Sequence, residues 1–317
     1  MIQLIDLIGV PSEAGGRNGT SGGPDILGPA LESELRKKGF HASYWNVAQH
    51  AEFPEIFELN GKPRGKVYSK RQVAGVANLV HGHFLTSLRL GHLPVTIGGD
   101  HSVSIGPQRA ACENARFEGK DVGLVWIDAH YDSHTDKTTH SHNANGMPLA
   151  IALGHGSSEF LPSYDQYDGK TWSRLPCPVF LPENVLHLGA GTTDCEREEK
   201  VFLDTLGVRT FSAKELNRNC FPAWTALKEL SAKVSALSVS FDLDAIDKVS
   251  APAVHLRSNG GLTRTGSLWL CGEIAKSGKL RTIDLVEYKP SAEEFDEDGV
   301  GRTIRLARDL LLRLLGR

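Results

Sequence analysis

The chain has 317 residues and a mass of 34.5 kDa, and its 40% hydrophobic and 23% charged content is that of a globular protein. This composition excludes a disordered or collagen-like chain. The formal net charge is −3, from 35 basic and 38 acidic residues, so a role in binding nucleic acid or a membrane surface has no electrostatic support.

Short apolar runs alternate with longer helical patterns along the whole chain, which is typical of a parallel sheet covered by helices. We predict an α/β fold of three αβα layers, with a doubly wound, mostly parallel sheet of about eight strands. In chain order, the predicted strands are Ile2–Ile8, Ala42–Val47, Pro94–Ile97, Val122–Ile127, Asn184–Leu188, Val208–Phe211, Ala236–Asp242 and Arg281–Val286. The predicted helices are Gly23–Lys38, Ser69–Leu90, Ser104–Ala115, Ala213–Lys233, Thr265–Lys276 and Thr303–Leu315.

Other features of the chain bear on its domain number and its location. There is no Ser-, Gly- or Pro-rich linker and no internal repeat, so residues 1–317 are expected to form a single domain. The five cysteines are odd in number and lack CxxC spacing, which argues against a disulfide framework and suits a reducing cytosol. No basic leader opens the chain, and no apolar run reaches the ~18 residues of a membrane span. We therefore expect a cytoplasmic protein that binds neither nucleic acid nor a membrane.

Four segments with acidic or histidine side chains are predicted to lie at the carboxyl edge of the sheet, where such folds bind ligands. Alternate residues of an extended chain share a face, so we expect Asp128, His130 and Asp132 to point the same way, and Asp242 to align with Asp244. The four segments are Gly98-Gly99-Asp100-His101-Ser102, Trp126-Ile127-Asp128-Ala129-His130-Tyr131-Asp132, Ser240-Phe241-Asp242-Leu243-Asp244 and Asp284-Leu285-Val286-Glu287.

These segments together predict a metal site, although each alone has an ordinary explanation as a tight turn, a solvated loop, a helix cap or a surface carboxylate. Four aspartates in one cleft would repel one another and take up protons unless positive charge lay among them. No lysine or arginine lies inside these segments. A pair of divalent ions resolves the conflict, and two imidazoles with four carboxylates suit Mn²⁺.

With these motifs the sequence resembles the arginase/agmatinase/formiminoglutamase family, the ureohydrolases, and looks most like an arginase. The resemblance covers nearly the whole chain and implies a homo-oligomeric hydrolase of linear amidine or guanidino substrates with two Mn²⁺ ions per chain. Besides the four segments above, it rests on Gly9-Val10-Pro11-Ser12-Glu13-Ala14-Gly15, Gly22-Gly23-Pro24 and Gly260-Gly261-Leu262-Thr263.

The same resemblance implies roles for individual residues. A metal-bridging hydroxide would attack the amidine carbon, with Asp132 orienting that hydroxide and Glu287 gripping the amidine or guanidinium group. One manganese would be held by His101, Asp128, Asp132 and Asp242, and the other by His130, Asp128, Asp242 and Asp244.

The sequence departs from arginases around the substrate. Ser141 and Asn143 match positions that hold an α-carboxylate, and Asp194 matches an acid near the α-amino group. Asn145 stands where arginases have a proton-shuttling histidine, so proton transfer at that position is lost unless His140 or His142 supplies it. His140 and His142 could equally be exposed loop histidines.

Three further departures involve charged or titratable residues. His134 replaces an asparagine, and Arg197 falls where a second acid is expected. Arg257 lies in an altered loop and either meets a substrate carboxylate or lies on the surface.

Several functions therefore compete. An arginase would convert L-arginine to ornithine and urea, whereas a formiminoglutamase would convert N-formimino-L-glutamate to glutamate and formamide. A third candidate is another guanidino-acid hydrolase. A pseudoenzyme that retains the fold for binding is opposed by the six intact ligand positions, and a metal-dependent deacetylase by the paired Asp-x-His-x-Asp and Asp-x-Asp motifs.

Overall fold

The computed structural model describes residues 4–51, 56, 67–167, 172–191 and 195–317. Its main sheet has eight strands in the order β2-β1-β3-β10-β9-β4-β7-β8, and every neighbouring pair is parallel. The strands of this sheet are β1 (Leu4–Val10), β2 (His41–Asn46), β3 (Leu93–Gly98), β4 (Val122–Ile127), β7 (Val185–Ala190), β8 (Arg209–Ser212), β9 (Ala236–Asp242) and β10 (Leu280–Val286). An antiparallel pair, β5 (Tyr164–Tyr167) and β6 (Trp172–Leu175), lies apart from it.

Helices cover both faces of the sheet because alternate side chains of its strands are apolar on each side. In β1, Ile5 and Leu7 pack in one core cluster with α1, α7, α8 and α9, while Ile8 and Val10 pack in another with α2 and α3. The helices are α1 (Gly23–Lys37), α2 (Lys70–Arg89), α3 (Ile105–Phe117), α4 (Pro148–Ala152), α5 (Arg197–Leu206), α6 (Ala213–Arg218), α7 (Phe221–Lys233), α8 (Arg264–Lys276) and α9 (Arg302–Leu314). The predicted three-layer αβα architecture is confirmed.

All eight predicted strands correspond to strands of the main sheet, with ends that differ by up to two residues within the described chain. The predicted start of the first strand, at Ile2 and Gln3, lies outside the described residues. The predicted helix Ala213–Lys233 was wrong as one element, because the chain breaks into α6 and α7. Asn219 is extended there and its Oδ1 accepts a hydrogen bond from the Phe221 backbone N at 3.1 Å. Pro222 lies in the first turn of α7, and its ring disfavours continuing a helix through the residues before it.

Helices α4 and α5 and the β5–β6 pair were not predicted. Among the helices of the described ranges, none combines the length and apolarity required to span a bilayer.

The four motif-bearing strands are the four central ones, β3, β10, β9 and β4, which lie side by side in that order. Their register brings their carboxyl ends level: Val286 lies opposite Asp242, and Ile127 lies opposite Phe241. Segments far apart in the sequence therefore meet at the centre of one sheet edge.

Candidate metal centre

His101 is placed by the turn that follows β3. A Cβ on Gly99 would lie 1.9 Å from the backbone O of Ser12, so only glycine fits where the chain leaves the strand. Asp100 then caps a short 3₁₀ turn, His101–Ser104, by accepting the Ser102 backbone N–H at 2.9 Å. The turn starts immediately after the strand, and the His101 side chain is buried against the sheet edge.

Three carboxylates surround one nitrogen of His101. Its Nδ1 lies 3.0 Å from Asp128 Oδ2, 2.9 Å from Asp132 Oδ2 and 3.1 Å from Asp242 Oδ2. None of these contacts has the alignment of a hydrogen bond, so Nδ1 is buried without a partner among the described residues. Three carboxylate oxygens gathered around one ring nitrogen, without hydrogen bonds between them, form a donor set that can hold a metal ion.

A second group of ligand atoms adjoins the first. His130 Nδ1 lies 3.5 Å from Asp128 Oδ1 and 3.2 Å from Asp244 Oδ2, and Asp244 Oδ1 is also buried without a partner. The potential ligand atoms of His101, Asp128 and Asp242 lie within 4.8 Å of one another, as do those of Asp128, His130 and Asp244, so Asp128 belongs to both groups. The donors thus fit two cations that share a carboxylate.

The prediction that these acidic residues lie on extended backbone was wrong in detail, although their side chains do converge. Asp132 has a φ of 45°, in the left-handed region. Asp242 ends β9 and caps a 3₁₀ turn, Leu243–Ala245, by accepting the Asp244 backbone N–H at 2.8 Å. Turns of this kind bring acidic residues two apart onto one ion without the alternation of a strand.

Further hydrogen bonds orient the candidate ligands. Trp126 Nε1 donates to Asp128 Oδ2 at 3.0 Å, and the Trp126 ring stacks on His101 with centroids 4.2 Å apart. The other ring nitrogen of His101, Nε2, is 3.0 Å from the Ser240 hydroxyl oxygen. A partner on Nε2 holds the ring so that Nδ1 faces the carboxylates.

The electrostatics of the cluster favour bound cations. Burial, followed by repulsion from Asp128, raises the pKa of Asp132 to about 8, and burial with its acidic neighbours raises the pKa of Asp242. Burial acts to raise the pKa of Asp128 as well, but contacts with His101 and His130 outweigh it and lower that pKa. Raised pKa values show that these carboxylates lack compensating positive charge, which divalent ions would supply.

A cavity of about 220 Å³ opens onto this cluster. No lysine or arginine is among the described residues that line it. Of the predicted site residues, Asp128 is fully buried at the base of the cluster and Asp194 lies outside the described residues. The other nine all line the cavity: His101, His130, Asp132, Ser141, Asn143, Asn145, Asp242, Asp244 and Glu287. His134, which the sequence singled out as a departure, lines it as well.

Glu287 presents a buried carboxylate to the cavity. It follows β10 with a φ of 67°, and its backbone N donates to the Gly99 carbonyl at 2.8 Å. Its Oε2 accepts from Asn18 Nδ2 at 2.6 Å, and its Oε1 accepts from the His101 backbone N at 2.9 Å. Burial, together with the charges of Asp100 and Asp244, raises the pKa of Glu287 well above its ordinary value. A cationic group entering the cavity would therefore meet a carboxylate whose negative charge is poorly balanced by the protein.

Two acidic residues of this cavity were missed in the sequence. Glu196 and Glu199 line it, whereas Arg197 is exposed and does not, so the wall keeps acids despite the arginine. His134 Nε2 lies 3.3 Å from Glu196 Oε2 and 3.7 Å from Glu199 Oε2. A helix prediction at α5 would have revealed these acids, because Glu196 is the N-cap and Glu199 lies in the first turn, where acids are favoured.

The remaining charged candidates differ in position. His140 and His142 do not line the cavity; His140 is 71% exposed and its Nε2 lies 3.3 Å from Glu196 Oε2. Arg257 is exposed and also lies outside the lining, whereas its neighbour His255 is part of it. His255 belongs to the altered loop of Arg257 and was not singled out from the sequence.

Comparisons with known proteins agree with this geometry. A family model described as "Arginase family" matches residues 3–316. Human arginase-1 is 29% identical over 321 residues, covering 99% of this chain and 93% of that protein. The arginase of Agrobacterium fabrum is 30% identical over 320 residues, covering 100% and 92%. Among solved structures, arginase from Bacillus caldovelox superimposes with a TM-score of 0.83 at 25% identity, covering 99% of both chains.

Proposed function

The chain belongs to the arginase family, whose members are hydrolases of guanidino C–N bonds, and on that basis we propose that it converts L-arginine to ornithine and urea. Formiminoglutamase activity, or hydrolysis of another guanidino acid, is the alternative within the family. The proposal rests on one observation. A single cavity is lined by Glu287 and by residues of both groups of candidate metal ligands, which lie at its base.

We assign two Mn²⁺ ions to the cluster, supported by the carboxylate and imidazole donor set and by the unpartnered Nδ1 of His101. The proposed ligands are His101, Asp128, His130, Asp132, Asp242 and Asp244. When bound, such ions supply Lewis-acid polarisation and lower the pKa of water, so that a hydroxide nucleophile forms at neutral pH.

Glu287 is proposed to bind the guanidinium group of the substrate. Its two oxygens already accept hydrogen bonds from Asn18 and from the His101 backbone, which fixes the plane of the carboxylate. A carboxylate so fixed can accept two parallel N–H bonds from a planar guanidinium and orient its central carbon toward the cluster.

The cavity wall favours a substrate whose far end carries an ammonium group. Glu196 and Glu199 offer negative charge, and Ser141 and Asn143 offer neutral donors suited to a single carboxylate. We also assign Asp194 to the ammonium end, as the sequence resemblance implies. The second carboxylate of formiminoglutamate would need a cation, and the described lining offers no lysine or arginine.

A substrate panel tests this proposal. The Mn²⁺-loaded protein is incubated with arginine, agmatine, guanidinobutyrate and formiminoglutamate while urea and formamide are measured. We expect urea from arginine at the highest kcat/KM. Formamide as the main product would replace the proposal with formiminoglutamase, and no product from any substrate would favour a pseudoenzyme.

We further propose that residues 1–317 act as one domain within a cytoplasmic homo-oligomer. One sheet takes strands from both the beginning and the end of the described chain, which supports a single folding unit. All five cysteines are free thiols, as suits a reducing compartment.

A further inference from the structure

If the chain hydrolyses a guanidino group, as proposed above, the reaction requires a group that carries protons. The oxygen of water bonds to the central carbon, the C–N bond to the amine breaks, and both protons of that water finish on the amine nitrogen. An amide side chain cannot carry either proton, so Asn145 leaves the reaction without a carrier at that position.

His255 is an imidazole in the same cavity as Asn145, and it is also exposed to solvent. It follows the buried segment 251–254, whose backbone is held by two hydrogen bonds. Ala253 O accepts from the Lys289 backbone N at 2.8 Å, and Ala253 N donates to Thr303 Oγ1 at 3.0 Å. The backbone two residues before His255 is therefore fixed, and the His255 side chain lines the cavity while remaining open to water.

Charged groups from three neighbouring elements face His255: Lys289 after β10, Asp244 after β9 and His130 after β4. Burial lowers the pKa of His255, with Lys289 and His130 acting in the same direction and Asp244 opposing them. The ring is consequently neutral in most molecules near pH 7, which is the form that can accept a proton.

The other histidines near the cavity are less suited. His140 and His142 do not line it, and the His142 ring packs against Tyr68 with centroids 5.5 Å apart. His134 does line it, but its Nε2 faces Glu196 and Glu199. Apart from the proposed metal ligands and His134, the described histidine that lines the cavity is His255.

We propose that His255 is the proton carrier of this enzyme. Its neutral imidazole accepts one proton from the attacking water and then gives that proton to the departing amine nitrogen. The second proton of the water passes directly from the attacking oxygen to the same nitrogen as the C–N bond breaks. The ring returns to its neutral form, so the step consumes no further reagent.

The test compares the Mn²⁺-loaded parent with His255→Gln, His255→Ala and His255→Gln combined with Asn145→His. Each His255 variant should lose about 100-fold or more in kcat, since a positioned acid–base group contributes about 10²- to 10⁴-fold, with unchanged metal content. Added imidazole should restore part of the rate of His255→Ala, and Asn145→His should restore part of the rate of His255→Gln. His41→Gln, an exposed histidine at the start of β2, is the matched control and should match the parent.

Two pH measurements complete the test. The kcat/KM of the parent should fall as the pH drops through the pKa of His255, and His255→Gln should lack that limb. Diethyl pyrocarbonate modifies neutral imidazole, so its rate of modification of His255, followed by mass spectrometry, should share the same midpoint.

The failures are distinguishable. If the parent hydrolyses arginine and His255→Gln does so equally fast, the carrier role is refuted while the proposed function stands. Loss of metal from both His255 variants would make the residue a ligand instead and would also refute the role. A parent inactive on every amidine would overturn the proposed function and this role together.

Discussion

Replacing Glu287 by glutamine tests how the substrate is held. The glutamine side chain keeps the shape of the glutamate but loses the negative charge that would face a guanidinium group. A charge-assisted contact of this kind contributes ~1.5–3 kcal/mol, which corresponds to a loss of about 10- to 150-fold in kcat/KM. The loss should apply to every amidine that the parent hydrolyses, because the contact is to the shared functional group.

The surroundings of Glu287 predict that the glutamine substitution changes the stability of the fold less than it changes kcat/KM. Both of its oxygens accept hydrogen bonds, one from Asn18 and one from the His101 backbone, and an amide has only one oxygen. One donor would lose its partner, at a cost of ~1–3 kcal/mol, and relief from the repulsion of Asp100 and Asp244 would offset part of that cost.

Steady-state kinetics on the arginine-led panel, with metal content and urea denaturation measured in parallel, separate these effects. Glu113→Gln is the control, since Glu113 pairs with His81 at 2.9 Å and does not line the cavity. Glu287→Gln with full metal content and parental kcat/KM would refute the reasoning, because the guanidinium group would then be held elsewhere.

Three further outcomes are expected. Chelation should abolish activity, restored best by Mn²⁺, and Asp128→Ala and Asp242→Ala should each lose most bound metal; full occupancy in both, by elemental analysis, would exclude the two-ion site. Gly99→Ala should destabilise the fold by at least ~3 kcal/mol in urea, because its Cβ would lie 1.9 Å from Ser12 O; parental stability would show that the turn yields. Burial raises the pKa of Asp284 to about 6, above the ~3.9 of an unfolded aspartate, so the folded state binds the proton more tightly and stability falls as the pH rises from about 4 to 6. Asp284→Asn should therefore gain up to about 3 kcal/mol at pH 8 and little at pH 4, and equal effects at both pH values would contradict this sign.

The sheet could be predicted from the sequence because its strands are buried on both faces. Runs such as Val122–Ile127 are continuously apolar, a pattern that polar loops and one-sided helices do not share. Strand order was not predictable, since β9 and β10 come late in the chain yet pair between β3 and β4. The break between α6 and α7 depended on Asn219 and Pro222, and the apolar spacing on either side concealed it.

The acidic wall of the cavity shows a different limit of sequence reasoning. Glu196 and Glu199 carry no motif of their own, and their position depends on where α5 begins relative to β7. His255 lies in an irregular loop, so periodicity says nothing about the direction of its side chain. These residues become candidates only when the fold brings their separate loops around one cavity.

The backbone at the site explains why local sequence preference could not locate it fully. Asp132 and Glu287 adopt φ values of 45° and 67°, a conformation that glycine adopts at lower cost and that is strained for most other residues. Local energetics alone would thus place glycine at both positions. The surrounding structure maintains the strain: Asp132 O accepts hydrogen bonds from the first turn of α4, and Glu287 N donates one to the Gly99 carbonyl. In return, the carboxylates that follow β4 and β10, two strands separated by β9, turn into one cavity. Strain at these two positions and the convergence of charge are therefore one feature of the fold, and it is visible only once the strands are assembled.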